Sequence, residues 1–163
     1  MINNYLPPHK VKTSWVFPRC RTLLSVSYTH LDVYKRQGLY HNGVIGINSK
    51  VEKSIERGCI LAEEMGHHYT SVGNILDMSD THNRKQERQA RLWAYNRLIG
   101  LRGIIKAYEA GCQSRYEIAE YLEVTEECLQ ECIEIYRDKY GVYTTVDNYV
   151  IYFLPNLAVM EKI

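Results

Sequence analysis

Between Val51 and Tyr69 an apolar or small residue recurs every three or four positions, at Ile55, Cys59, Ala62, Gly66 and Tyr69. That spacing predicts one long amphipathic helix over about 51–70, and such a helix must lie on a core. The chain has 163 residues, 45% of them hydrophobic, enough for one domain and too few for two ordinary ones. Glu63, Glu64 and His67 border the stripe. Residues four apart lie about 40° apart around a helix axis, so Glu63 and His67 face a common region, while Glu64 points about 100° further round from Glu63. Acids at the rim of a core lose water and need a partner, and a cation suits two acids beside an imidazole.

The elements around this helix predict an α+β fold, mainly helical, with a β-hairpin at each end. Leu39-Tyr40-His41 and Val44-Ile45-Gly46-Ile47 flank Asn42-Gly43, which supplies a two-residue turn, and Gly73 ends the helical region. Asn83 with Gln86 three residues on reads as a capping box opening a helix over about 83–99, with Ala90, Ala94 and Leu98 inward and Gly100 as its stop. Glu87 stands three residues before Ala90 and seven before Ala94, so it extends the buried stripe, whereas Arg84, Lys85 and Arg88 are read as solvated. A short helix is expected over about 101–110 before Gly111, then a helical pair over about 115–139 with Thr125 capping its second member. A second hairpin is expected over about 142–154 around Asp147-Asn148.

The formal net charge of +1 gives no global argument for nucleic acid or an anionic membrane surface. No apolar run approaches the ~20 residues that span a bilayer. Five cysteines, an odd number without a C-x-x-C pair, predict a reduced, cytoplasmic protein. Residues 1–37 hold six Lys or Arg against one acid, Asp32, and show no periodicity. Within them Ser25-Val-Ser-Tyr-Thr-His-Leu-Asp-Val-Tyr-Lys-Arg-Gln37 resembles the translated read-through of a sequencing adapter. The expectation is that 1–37 is a disordered, artefactual tail and that the domain occupies 38–163.

The peptidase motif H-E-x-x-H places two His on one helix face as metal ligands with a Glu as general base. The same register here reads Glu63-Glu64-Met65-Gly66-His67, with a carboxylate at the first ligand position. Together with Gly38-Leu-Tyr40, Ile45-Gly-Ile-Asn48, Cys59-Ile-Leu-Ala-Glu-Glu-Met-Gly-His-His-Tyr-Thr70, Gly73-Asn-Ile-Leu-Asp77, Asn83-Arg-Lys-Gln-Glu87 and Ala90-Arg-Leu-Trp-Ala94, this resembles the ImmA/IrrE metallopeptidases, in a branch associated with prophages and mobile elements. The resemblance covers about 126 residues from Gly38 onward. It implies a zincin-like fold, Glu63, His67 and Glu87 as ligands of a divalent metal, Glu64 as general base, zinc as the ion, and a helix-turn-helix repressor as the protein substrate. The extra carboxylate favours harder ions such as manganese or iron(II) over zinc.

Other readings stand beside this one. A catalytically inactive relative that docks a repressor fits the Glu63 departure. Residues 117–133 have helix-turn-helix spacing, yet Glu126, Glu127, Glu131 and Glu134 on the second helix repel phosphate, so direct nucleic-acid binding is not expected. His68 reads as an outer-sphere or surface His, His82 as capping or solvent-exposed, Cys59 as a small core residue or a third ligand with Glu63 and His67, and Asp77 as a loop or cap residue in preference to an alternative third ligand. Tyr69, His68 and Arg84 are loose candidates for an oxyanion stabiliser.

Overall fold

The chain order in the computed structural model, which describes residues 22–26, 37–41, 44–71 and 81–162, is β1 (Thr22–Val26), β2 (Gly38–His41), β3 (Val44–Asn48), α1 (Ser54–Thr70), α2 (Thr81–Leu98), α3 (Gly100–Glu109), α4 (Arg115–Tyr121), α5 (Glu126–Tyr140), β4 (Tyr143–Val146), β5 (Tyr149–Tyr152) and β6 (Ala158–Glu161). The fold is α+β and mainly helical, as expected. β2 runs antiparallel to β3 with His41 opposite Val44, the register a two-residue connection demands; Asn42 and Gly43 lie outside the described residues. Gly73 and Asp77 also lie outside them.

β1 pairs in parallel with β3, Thr22 opposite Val44 through Val26 opposite Asn48, and the sheet order is β1-β3-β2. This strand falls inside 1–37, where no element was expected. A parallel partner needs no tight turn and so leaves no hairpin signal in the sequence. The rest of that segment, 1–21 and 27–36, lies outside the described residues.

Two clusters form the core, with α1 between them. Ile60 and Met65 of α1 pack with Ile45, Ile47 and Val51 against the first sheet. Tyr95, Ile104, Leu129, Tyr136 and Ile151 lead the second cluster, built from α2, α3, α5 and β5, with Cys59 of α1 packed on it. The buried face of α1 is thus Ile60, Ala62, Met65 and Gly66, whereas Ile55 and Tyr69 of the expected stripe are exposed. A helix covered on two sides buries a wider arc than a single stripe describes.

α2 begins at Thr81, so Asn83 and Gln86 are not its cap; both are buried within the helix. Ala90 and Ala94 are fully buried as expected. Gly100 opens α3 in the left-handed region, φ 63°, and the break between α2 and α3 depends on it. Ser114 and Glu117 form a full capping box on α4, and the Thr125 hydroxyl accepts from the Cys128 N–H at 3.1 Å, capping α5. Thr125→Ala should lower stability by about 1 kcal/mol, read as a shift in the urea midpoint at unchanged slope.

The closing hairpin appears as β4 and β5, and β6 adds an unanticipated third antiparallel strand. Among the described residues no helix is long and apolar enough to cross a membrane.

Candidate metal centre

α1 and α2 cross where Gly66 meets the Ala90 backbone. A Cβ on Gly66 would run into the Ala90 carbonyl oxygen and stand 2.9 Å from its carbon. That crossing sets the positions of the charged side chains next to it. His67 follows Gly66 on α1; Glu87 precedes Ala90 by one turn on α2, and Arg91 follows it.

His67 Nε2 lies 3.4 Å from Glu87 Oε2, with 19% and 20% of the two side chains exposed. This is longer than a well-made hydrogen bond. Donors sharing one tetrahedral ion at about 2.0–2.1 Å are separated by about 3.3–3.4 Å, so the pair already has a ligand spacing. Each side chain is fixed through its other polar atom: His67 Nδ1 is 3.3 Å from Ser71 Oγ, and Glu87 Oε1 accepts from Arg91 Nε at 2.8 Å. An imidazole held through its remote nitrogen is how metal-ligating histidines are usually oriented.

Glu63, one turn before His67, faces the same guanidinium, its Oε1 at 3.7 Å from Arg91 Nε. Burial raises its pKa above the usual carboxylate range; Arg91 opposes this, and the nearby charges of Glu131, Glu87 and Glu127 add to it. Glu131 of α5 completes the group, its Oε2 3.8 Å from Arg91 Nη1 and accepting from Tyr95 OH at 2.5 Å. Burial and that hydrogen bond hold the Tyr95 phenol far above its ordinary range. Three carboxylates, those of Glu63, Glu87 and Glu131, thus face one guanidinium.

Of the expected site residues, the structure brings His67 and Glu87 to 3.4 Å and ties Glu63 to the same centre through Arg91. Among the described residues no three His, Cys, Asp or Glu side chains stand together as a ready metal-binding group. Glu64 lies on another side of α1, against the first residue of β2. A Cβ on Gly38 would stand 2.6 Å from Glu64 Oε1 and 2.6 Å from Ile60 Cγ2, so a larger residue there would have to displace those side chains.

Arg91, Ser71, Glu131 and Tyr95 were not anticipated. Arg91 had a local signal, standing four residues after Glu87 on the same helix face, and Ser71 stands in the same relation to His67. Glu131 counts in the sequence only among the acids that repel phosphate, and nothing local joins it to residues 63–91.

The remaining candidates lie off this centre. His68 Nδ1 is 2.7 Å from Tyr40 OH, and Tyr40, His68, Tyr69 and Trp93 form a run of ring contacts that ends in Tyr69 stacked on Trp93 at 4.9 Å. Arg84 donates to Thr81 Oγ1 at 3.1 Å, and His82 is exposed. Cys59 packs on the second core cluster, where contact with the Cys128 thiol moves its pKa down to about 7 and that of Cys128 up.

A model of the IrrE N-terminal-like domain matches residues 20–134, from just before β1 through most of α5. The match starts upstream of Gly38 and ends before the C-terminal sheet, whereas the resemblance was expected from Gly38 to the end. Comparison with curated proteins and with solved structures gives no significant match.

Proposed function

The chain belongs to the ImmA/IrrE family of metallopeptidases, and on that premise we propose that it is a divalent-metal endopeptidase acting on a helix-turn-helix repressor of a prophage or mobile element. Glu63, His67 and Glu87 are the ligands in this reading, and Glu64 is the general base. The observation that carries it is the His67–Glu87 pair, two donors on separate helices at 3.4 Å, each fixed through its other polar atom. A bound divalent ion supplies Lewis acidity toward a carbonyl and a lower pKa for water. Zinc follows from the family, and manganese or iron(II) from the carboxylate-rich donor set.

This chain's own residues do the rest. Glu64, about 100° round the helix from Glu63, takes the proton of the attacking water and returns it to the leaving amine. Its side chain passes beside Gly38, where an added Cβ would stand 2.6 Å from Oε1. The unpaired Cys59, Cys112, Cys128 and Cys132 support a reducing, cytoplasmic setting. The exposed Glu126, Glu127 and Glu134 on α5 support a protein partner over nucleic acid.

A second reading has its own support. Arg91 pairs with both Glu63 and Glu87, and a resident cation suits a catalytically inactive member that docks a repressor. Elemental analysis of the full chain, with an assay on the repressor encoded nearest its gene, separates the two. The wild type is expected to hold about one metal per chain. Glu64→Gln should keep that metal and lose about 10²–10⁴-fold in cleavage rate. Unchanged cleavage in Glu64→Gln removes Glu64 as the base, and a metal-free wild type favours the docking protein.

A further inference from the structure

One guanidinium joins three helices at this centre. Arg91 of α2 pairs through Nε with Glu87 at 2.8 Å and Glu63 at 3.7 Å, and through Nη1 with Glu131 of α5 at 3.8 Å. We propose that Arg91 is the resident counter-ion of the site: it holds Glu63 and Glu87 together in the metal-free chain and competes with a divalent ion for the Glu63 carboxylate. The inference rests on Glu63, His67 and Glu87 being the ligands.

The charge arithmetic supports it. A site of two His and one carboxylate presents one negative charge to a divalent ion, and an imidazole needs no counter-charge when the ion is away. With a carboxylate at position 63 the ligand set carries two negative charges in a partly buried place. Without a cation these would repel each other and be driven toward protonation. Arg91 lowers that cost in the metal-free chain. In the loaded chain it offsets the one charge by which this ligand set exceeds that of a two-His, one-carboxylate site. Glu87 divides its oxygens to serve both states, Oε1 on Arg91 and Oε2 toward His67, whereas Glu63 meets Arg91 through the long 3.7 Å contact. Glu63 is therefore the ligand an incoming ion recruits from the guanidinium. Glu131, anchored by Tyr95, holds Arg91 from the far side and gives it a place to remain when Glu63 leaves.

A counter-ion and a merely structural arginine differ in the sign of their effects. In the full chain Arg91→Gln should melt at a lower temperature than wild type without metal, yet bind zinc or manganese about tenfold more tightly by calorimetry against a competing chelator. Arg91→Lys keeps the charge but not the fork; it should shift both readouts in the same directions by less, and it serves if Arg91→Gln does not fold. Affinity and melting temperature falling together would overturn the counter-ion role while leaving the metal reading intact. A wild type that binds no metal beside an Arg91→Gln that does would support the counter-ion and end the endopeptidase reading. If neither binds metal, both fail.

Discussion

Gly66→Ala is expected to lower the melting temperature by about 5–10 °C and to weaken metal binding at the same time. Two effects of opposite sign compete. Alanine inside a helix is favoured over glycine by about 1 kcal/mol. Against this, the added methyl would overlap the Ala90 carbonyl of α2, with the carbonyl carbon at 2.9 Å, and a backbone group cannot swing aside as a side-chain tip can. Overpacking of this kind costs about 1–3 kcal/mol, and a rigid neighbour puts it at the upper end or beyond, so the steric effect wins. The helices must part at their closest point, one residue from His67 and one turn from Glu87, which lengthens the separation those donors share. Gly58→Ala on the same helix is the control: nothing lies within 4 Å of its added Cβ, so only the helix-propensity gain should appear, a stabilisation of about 0.5–1 kcal/mol. Thermal melts of both variants, with and without zinc, read the contrast. Equal melting temperatures for the two would show that α1 and α2 are not held at this distance.

The elements that were legible in the sequence share a local cause. α2 and α5 show their 3.6-residue period because one face of each meets the core, and the β2–β3 and β4–β5 hairpins show their turn residues because the connections are two residues long. What escaped depends on distant partners. β1 pairs with β3 across some twenty residues without a tight turn. β6 is four residues, mostly exposed, and takes its place from hydrogen bonding to β5. Asn83 and Gln86 have the spacing of a capping pair, but the helix starts before them, so the same two side chains are buried.

The candidate site divides in the same way. His67 follows from the helical register of α1, and Glu87 from its place on the stripe of α2. That these two face each other depends on how closely the helices approach, which Gly66 hints at but cannot specify without Ala90 opposite. Arg91 was visible as the residue four beyond Glu87, yet a basic residue among Arg84, Lys85 and Arg88 reads as solvated until the acids around it are known. Glu131 could not be assigned from sequence, since only the packing of α5 against α2 brings it to Arg91.

Glu87→Gln should separate the chemistry of the centre from its packing, because it removes a charge and almost no volume. In the metal-free chain little stability should be lost, and the change should stay within about 1 kcal/mol. Arg91 gives up one ion pair, but Glu131 still holds it and Glu63 is relieved of a neighbouring negative charge that opposes its ionisation. Metal binding responds differently. The amide keeps the shape of the side chain and loses the anionic oxygen that faces His67 Nε2, leaving a neutral donor beside one imidazole and a carboxylate already shared with Arg91. Outer-sphere changes alone cost about 10–100-fold in metal affinity, so loss of a ligand should cost at least about 100-fold. Wild type with zinc at about 100 times its dissociation constant gains about 2.7 kcal/mol of stability, and that gain should almost vanish in Glu87→Gln. The expected pattern is a near-native melt without zinc and no upward shift with it, opposite to Gly66→Ala, which loses both. A Glu87→Gln variant that keeps the full wild-type zinc shift would place the ion elsewhere and leave the His67–Glu87 contact as an ordinary ion pair between two helices.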